Sequence, residues 1–342
     1  MSSNSIASVS VLTPVKNCQH YLQQTIDSIL RQSHEDFEFL IADNGSSDKS
    51  VDIAIRASQK DSRIKVLRCP GYALPELRNR LVSESTSEII AWIDADDIAE
   101  PSRLAAQFAF MQCNKQCAIV GSDVLVIDPD GMPIHYETRS HAHHETESMI
   151  LERKNNGIFF SSCAIRRSLF NKVGGFRSQF PVAEDIDLYL RLAEVGQLAN
   201  INQALTRYRW RLDNLSWTLA GTQNEKLLMV LNEARERRGL SLLAETTSDV
   251  QDGRPKAWTH TFWSSVALNA SNFATAQKHA STAIFSDPLI AKAWQNWSLS
   301  AFPLCVDPNR SWIGKRWASS VRRVAFAIAG MCETLFPSHQ PK

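Results

Sequence analysis

Three aspartates stand together where an apolar run of the sequence ends. In "AWIDADDIAEP", residues 91–101, Asp94, Asp96 and Asp97 follow apolar residues typical of a buried strand. Carboxylates this close repel one another, and hard oxygen ligands on a tight turn suit Mg²⁺ or Mn²⁺. The pattern therefore indicates a divalent cation that neutralises the phosphates of a substrate. The alternative is a turn of solvated acids that caps the helix predicted after Pro101.

A second polar turn follows another apolar run. "IADNGSSDKS", residues 41–50, ends a predicted strand with Asp43 and Asn44, and Gly45 permits an unusual backbone conformation. Taken alone, this is an ordinary turn. Placed beside the aspartates at one edge of a sheet, its hydrogen-bond acceptors suit a base and a ribose while the cation binds the pyrophosphate. Together the two motifs predict a site for a nucleoside diphosphate.

A third acidic motif begins a predicted helix. In "AEDIDLYLRLAEVG", residues 183–196, Glu184 and Asp185 occupy the first turn and Gly196 ends the helix. Acids in a first turn are favoured by the helix dipole, which is the structural alternative. Near a metal-bound phosphate site, a carboxylate here could instead deprotonate an attacking hydroxyl.

Strands and helices alternate through the first part of the chain and would bring these motifs together. Apolar periodicity predicts a strand, a helix and then further alternation, with strands at 8–14, 36–44, 63–69 and 88–95 and helices at 21–32, 49–58 and 75–85. This order predicts an α/β fold with a mostly parallel sheet, in which ligands bind beyond the carboxyl ends of the strands. From about residue 220 the strand-like runs disappear. We therefore expect one domain over 1–220 and a smaller all-α region over 221–342.

Composition limits the class of protein. The 342 residues carry a net charge of only +1, which predicts no affinity for nucleic acid. The seven cysteines lack the spacing of a zinc site or a disulfide scaffold and favour a reducing, cytoplasmic location. No stretch has the roughly 18 apolar residues of a membrane span or the pattern of an export signal.

The motifs together resemble those of family 2 glycosyltransferases of the GT-A fold. "VSVLTPVKN", "ADNGSSDKS", "AWIDADD" and "GGF" with "AEDIDLYLRL" occur in that family's order and spacing over roughly residues 8–218. The resemblance implies a nucleotide diphosphate sugar donor, UDP- or dTDP-linked, and Mn²⁺ or Mg²⁺ as cofactor. It implies Asp185 as catalytic base. It also implies donor contacts from Thr13, Pro14, Asp43, Asn44, Asp94 and Asp96, and metal ligation by the 94–97 turn through Asp96 and Asp97.

The sequence departs from the family pattern at two positions. Asn44 stands where the family commonly has a second aspartate, so it accepts a hydrogen bond without a charge. In "YRWRLDNLS", residues 208–216, Arg211 replaces a histidine of many relatives. Arginine cannot ligate a metal but binds phosphate in a bidentate way. We therefore expect Arg209 or Arg211 near the donor phosphates, with packing at the surface as the alternative.

Two features mark the C-terminal region. Residues 258–302 resemble a tetratricopeptide helical hairpin, although one unit cannot bury its own face and would pack on neighbouring helices or bind a partner. At 310–330 apolar residues gather on one side of a predicted helix and basic residues on the other. Such a helix suits peripheral contact with an anionic surface at the inner face of the cell membrane, or caps the tail.

The expected function is an inverting glycosyl transfer to a hydroxyl of a glycan or lipid-linked acceptor, in the synthesis of a cell-surface polysaccharide. One alternative is a sugar-nucleotide nucleotidyltransferase, but "TPVKNCQHYL" after the first strand lacks the glycines that hold a triphosphate. The other is an inactive GT-A scaffold that binds partners through its helical tail.

Overall fold

The computed structural model describes residues 7–213, 220–244 and 255–301, with side chains in the second range from residue 224. The chain divides into two compact units. The first unit comprises Met1–Leu125, Glu137–Arg209 and Gly221–Asp249, and the second comprises Val126–Tyr136, Trp210–Ala220 and Val250–Lys342. The amphipathic helix predicted at 310–330 lies outside the described residues.

Four parallel strands form one side of the sheet of the first unit, and helices connect them. The strands are β1 (Val9–Val15), β2 (Phe37–Asp43), β3 (Ile64–Arg68) and β4 (Ile89–Trp92), and the connecting helices are α1 (Leu22–Leu30), α2 (Ser50–Lys60) and α3 (Leu74–Glu84). In the strand order β3-β2-β1-β4, the chain winds outward from β1 and then returns through α3 to the other side of β1. The order thus reverses between β1 and β4, where ligands bind in sheets of this kind.

Five further strands complete the nine-stranded sheet of the described chain. They are β5 (Ile98–Ala99), β6 (Cys117–Ile127), β7 (Pro133–Glu137), β8 (Ala164–Arg166) and β9 (Gln197–Arg209). Strand β8 is antiparallel to both β4 and β6, and β5 is antiparallel to β9. The sheet is therefore mixed, and the predicted strand and helix alternation accounts for its parallel side. The predicted α/β class is confirmed.

The remaining helices of the first unit flank this sheet. They are α4 (Arg103–Cys113), α5 (His143–Leu151), α6 (Arg167–Lys172), α7 (Glu184–Ala193) and α8 (Ala220–Arg237), with a short 3₁₀ helix at Phe160–Ser162. Helix α8 is hydrogen-bonded to two other helices of the first unit. Arg235 donates to the carbonyl of Leu151 in α5 at 3.0 Å, and Arg238, just after α8, donates to the carbonyl of Leu190 in α7 at 2.7 Å. Residues 221–249 thus group with the first unit, whereas the sequence begins the helical region at 221. That domain boundary stays a prediction.

Strands β1, β2 and β4 bury both faces, which explains their nearly continuous apolar runs. Successive residues of a strand point to opposite faces, so β2 contributes alternately to two cores. One core takes Phe37, Phe39 and Ile41 from β2 and the apolar stripe of α1, Leu22, Ile26 and Ile29. The other core takes Leu40 and Ala42 from β2 and packs them with Leu77 and Leu81 of α3 and residues of α7. The sheet is thereby held between two helical layers.

The described residues of the second unit include three packed helices, α9 (Lys256–Asn269), α10 (Phe273–Ser286) and α11 (Ala291–Ala301). Helix α10 is joined to the turn between β6 and β7. Lys278 pairs with both Asp128 and Asp130, and Nε2 of His279 lies 3.1 Å from Oδ2 of Asp128. In the three described ranges of the chain, no helix is both long enough and apolar enough to cross a bilayer.

Candidate active site

The predicted motifs lie at one edge of the sheet. Leu12 of β1 pairs with Trp92 of β4, and Val15 of β1 pairs with Asp43 of β2. The carboxyl ends of these three parallel strands therefore meet, with the acidic turn of residues 94–97 directly after β4. The hydroxyl of Thr13 donates to the carbonyl of Ile93 at 2.9 Å and fastens β1 to the start of this turn.

Thr13 and Pro14, the first two residues that were predicted to contact the sugar donor, lie within strand β1. Thr13 is fully buried and its hydroxyl is used by the bond to Ile93. Pro14 is half-buried and pairs with Ala42 of β2. Donor contact from either side chain stays a prediction.

The Asp43 and Asn44 side chains shape the loops beyond β2 and β3. The buried carboxylate of Asp43 accepts from the N–H groups of Gly45 at 3.2 Å and Ser46 at 3.1 Å, and Nε of Arg68 lies 3.5 Å away. The amide of Asn44 makes two hydrogen bonds to the backbone of Tyr72. Its Nδ2 donates to the carbonyl at 2.9 Å, and its Oδ1 accepts from the N–H at 3.1 Å. The departure from the family aspartate thus supplies a donor that a carboxylate lacks.

The acidic turn is fixed at both ends. The hydroxyl of Ser161 accepts from the N–H of Asp94 at 2.9 Å, and the turn closes through the N–H of Asp97 to the carbonyl of Asp94 at 3.2 Å. Oδ1 of the buried Asp97 accepts from the N–H of Arg209 at 2.7 Å. Oδ2 of Asp97 is also buried and has no hydrogen-bond partner among the described residues.

The carboxylates of the turn disfavour one another's ionisation. Burial raises the pKa of Asp94 to about 6, with Asp96 and Asp185 adding repulsion against the attraction of Arg78. Burial, together with Asp96 and Asp94, raises the pKa of Asp97 well above its usual range. Because Asp94 responds to both Asp96 and Asp185, the acidic turn and the start of α7 lie in one electrostatic environment.

This turn suits a cation held jointly with a substrate. Across the described ranges no three His, Cys, Asp or Glu side chains form a complete metal site. The unpartnered Oδ2 of Asp97 and the mutual repulsion of the turn nevertheless fit a dication, since magnesium sites commonly take one or two carboxylates and draw further ligands from substrate phosphates. The residues that would hold it are Asp96 and Asp97.

The first turn of α7 presents one acid that differs from its neighbours. Glu184 is ion-paired with Arg78, and Asp187 is ion-paired with Arg177 and Arg191. These arginines offset the charge of the flanking acids, although burial still raises the pKa of Glu184 to about 7 against the attraction of Arg78. Asp185 lacks such an ion pair in the described part of the chain, and its Oδ1 accepts from the N–H of Ile186 at 2.8 Å. Burial raises the pKa of Asp185, against the attraction of Arg78. A carboxylate without an ion pair among the described residues is a candidate to accept the proton of an attacking hydroxyl.

The two arginines expected near the phosphates lie in different units. Arg209 is buried beneath the acidic turn, where its Nε donates to the carbonyl of Asp96 at 2.8 Å and its guanidinium lies 4.7 Å from the Tyr21 ring centre. Arg211 belongs to the second unit and pairs with Asp213, Nη2 to Oδ2, at 2.6 Å. Phosphate contact from either arginine stays a prediction.

Sequence reasoning missed two residues at this site. Tyr208 on β9 is one: burial raises the pKa of its phenol well above the usual range, and Asp97, Asp94, Asp96 and Asp185 all add to the rise. The sequence could have pointed to Tyr208 because it directly precedes Arg209, which was expected near the phosphates. Arg78 is the other, and its position on the apolar side of α3, between the buried Leu77 and Leu81, could have marked it.

Known proteins resemble this chain in sequence. The model of "Glycosyl transferase family 2" matches residues 10–174. The putative glycosyltransferase EpsE of Bacillus subtilis (strain 168) is 30% identical over 60% of this chain and 74% of its own length. Hyaluronan synthase of Pasteurella multocida is 26% identical over 70% of this chain, but the match spans 24% of that enzyme. The chain therefore covers about a quarter of the length of that synthase.

Solved structures share the fold at low identity. S. aureus TarS 1-349, solved in complex with UDP-GlcNAc, has a TM-score of 0.54 at 14% identity, over 94% of this chain and 90% of that one. The mannosyltransferase PcManGT from Pyrobaculum calidifontis, solved with GDP-Man and Mn²⁺, has a TM-score of 0.50 at 13% identity, over 98% of this chain and 89% of that one. The chain has the GT-A fold and belongs to glycosyl transferase family 2.

Proposed function

We propose that this protein is an inverting glycosyltransferase that moves a sugar from a nucleotide diphosphate sugar to an acceptor hydroxyl. One observation carries the proposal. Asp185 lacks an arginine ion pair among the described residues, unlike the other acids of its helical turn, and it lies within electrostatic reach of the acidic turn after β4. A candidate base thus lies beside a candidate diphosphate site.

The donor would lie over the carboxyl edge of the sheet. The loops shaped by Asp43 and Asn44 would face the nucleoside, and Asp94 and Asp96 would face the diphosphate. Asp96 and Asp97 would hold Mn²⁺ or Mg²⁺, which as a Lewis acid offsets the charge that develops on the leaving diphosphate. Arg209 would support this from below by fixing the backbone of Asp96.

The transfer itself is a single displacement. Asp185 takes the proton of the acceptor hydroxyl while that oxygen bonds to the anomeric carbon on the face opposite the diphosphate. The bond from the anomeric carbon to the diphosphate oxygen breaks, and the nucleoside diphosphate leaves with the bonding electrons. Attack from the opposite face inverts the anomeric configuration. General-base catalysis of this kind contributes about 10² to 10⁴ in rate.

The relatives support the proposed donor and acceptor classes. A UDP- or dTDP-sugar is the proposed donor, in line with the structural neighbour solved with UDP-GlcNAc, and the manganese of the mannosyltransferase supports a divalent cofactor. Hyaluronan synthase and chondroitin synthase, both of Pasteurella multocida, favour a glycan or lipid-linked acceptor in cell-surface polysaccharide synthesis.

The location and tail are part of the same proposal. We place the protein in the cytoplasm, with peripheral contact at the inner membrane face through residues 310–330. The three packed helices α9 to α11 would include the tetratricopeptide-like hairpin and serve packing or partner binding.

A thermal-shift screen tests the donor assignment. Binding to the folded state raises the melting temperature by mass action, so UDP or dTDP should raise it with Mn²⁺ and less without it. Asp96→Asn should lose the metal-dependent part of the shift. Release of UDP from a UDP-sugar on adding acceptor would then report transfer. The absence of any nucleoside diphosphate effect would contradict the assignment, and consumption of a nucleoside triphosphate with a sugar phosphate would favour a nucleotidyltransferase.

A further inference from the structure

Arg78 on α3 is buried among the acids of the site. Its side chain is ion-paired with Glu184, and both residues are 6% exposed. Its guanidinium carbon lies 3.8 Å from the ring centre of Phe160 and 5.5 Å from that of Phe176. A guanidinium that packs against two rings and pairs with a carboxylate has little freedom to move. The ion pair therefore fixes Glu184, the residue immediately before Asp185.

The backbone at the start of α7 has to be held by contacts such as this ion pair. Ala183, just before the helix, has a left-handed backbone with φ 62° and ψ 19°, and no side chain caps the helix there. For a residue with a Cβ this conformation costs about 1 kcal/mol or more. The backbone that aims Asp185 is therefore strained and persists because neighbouring contacts hold it.

The next residue of α3 holds the other end of the same segment. Nδ2 of Asn79 donates to the carbonyl of Phe176 at 2.8 Å, and Oδ1 of Asn79 accepts from the N–H of Phe176 at 2.9 Å. Two adjacent residues of α3 thus bind this segment: Asn79 binds the backbone of Phe176, and Arg78 binds the side chain of Glu184. The segment that leads into the base is clamped at both ends to α3, which itself packs in the core.

We propose that Arg78 is a positioning residue that acts through Glu184 to aim the carboxylate of Asp185 at the acceptor hydroxyl. The inference rests on the proposed function, in which Asp185 is the base. Arg78 is not one of the reacting groups in this proposal. Its contribution is geometric, because a displacement of about 1 Å in a reacting group costs about 10²-fold in rate.

Steady-state kinetics of Arg78→Gln, Glu184→Gln and the double variant provide the test. We expect kcat to fall about 10- to 100-fold in Arg78→Gln, with donor KM within about threefold of wild type. The double variant should lose no more than the worse single variant, because the two side chains act as one unit. Arg80→Gln is the matched control. Its side chain is on the same helix, exposed and paired with Glu84, and this variant should keep full activity.

Two outcomes would overturn the inference. One is a wild-type kcat in Arg78→Gln. The other is a raised donor KM at unchanged kcat, which would show that Arg78 binds the donor directly; its buried Nε lacks a partner within the described residues and could serve this. If Arg78→Gln melts below the assay temperature, Glu184→Gln provides the test instead. The inference then requires that kcat of Glu184→Gln falls while its donor KM stays within about threefold of wild type.

Asp185→Asn, measured in parallel, separates the inference from the proposed function. If Asp185→Asn transfers sugar at the wild-type rate, the base assignment fails whatever Arg78 does. If Asp185→Asn is inactive while Arg78→Gln is unaffected, only the positioning role fails.

Discussion

The N–H of Arg209 donates a hydrogen bond to Oδ1 of Asp97 over 2.7 Å. The two residues are 112 positions apart in the sequence, and the bond ties the last residue of β9 to the acidic turn after β4. The same arginine holds the carbonyl of Asp96 with its side chain. Arg209 thus holds the side chain of Asp97 and the backbone of Asp96, the two residues that are proposed to hold the cation.

Two substitutions of Asp97 should separate its structural role from its role in binding. Asparagine keeps an oxygen that can accept from the N–H of Arg209, whereas alanine leaves that buried donor unsatisfied. We expect Asp97→Ala to be less stable than Asp97→Asn by about 1–3 kcal/mol in urea unfolding. Both should bind Mn²⁺ more weakly in calorimetric titrations. Equal stability of the two variants would show that the Arg209 bond does not hold the turn.

Asn44 should control the loop that contains Tyr72. Asn44→Asp loses the bond to the Tyr72 carbonyl, and Asn44→Ala loses both bonds. Each bond is worth about 0.5–1.5 kcal/mol. Hydrogen exchange over residues 69–73 should therefore be slowest in wild type, faster in Asn44→Asp and fastest in Asn44→Ala. Unchanged exchange in Asn44→Ala would contradict this role.

The paired glycines before α7 should respond differently to alanine. Both have positive φ, 81° at Gly174 and 69° at Gly175, so alanine strains either one. A Cβ at Gly175 would also lie 2.7 Å from Oδ1 of Asn79, whereas a Cβ at Gly174 meets nothing within 4 Å. Gly175→Ala should be the less stable variant by at least about 1 kcal/mol and should lose more transfer activity. Similar melting temperatures and rates of the two variants would show that Asn79 can shift without loss of its role in holding Phe176.

Acid should destabilise the second unit through His260. Burial lowers the pKa of His260 to about 4, with the charges of His279, Lys256 and Lys278 adding. Since the ordinary pKa of histidine is about 6.5, the unfolded chain binds this proton first. The stability contributed by neutral His260 is therefore complete above about pH 6.5 and is lost as pH falls toward 4. For this pKa shift the free energy of unfolding changes by about 3 kcal/mol.

Variants check this pH dependence. In His260→Gln the free energy of unfolding should change less between about pH 4 and 6.5 than in wild type, as followed by urea unfolding. His144→Gln, at an exposed histidine, should keep the wild-type dependence. An identical pH dependence in His260→Gln and wild type would exclude His260 as the source.

The sequence was sufficient to predict the parallel part of the fold and the sheet edge at which the candidate residues meet. Nearly continuous apolar runs predicted β1, β2 and β4, and parallel strands place their carboxyl ends at one edge of the sheet. Asp43 and Asp94 had to share that edge once the strands were assigned. The apolar spacing after Asp185 likewise predicted α7, but this helix ends at Ala193, three residues before the Gly196 that was expected to end it.

Contacts distant in sequence could not be predicted in the same way. Arg78 and Glu184 are 106 positions apart and neither lies in a repeating pattern that pairs them. Strand β8, Ala164–Arg166, is too short to show a period of two. The left-handed backbone of Ala183 is imposed by tertiary contacts, since alanine has no local preference for it.

The central claim is that Asp185 is the base of a sugar transfer, and Asp185→Asn measures it most directly. Single-turnover transfer should fall at least about 100-fold while UDP binding and the melting temperature stay close to wild type. Asp52→Asn, at an exposed first-turn acid of α2, should keep the full rate. A wild-type rate of transfer by Asp185→Asn would contradict the account.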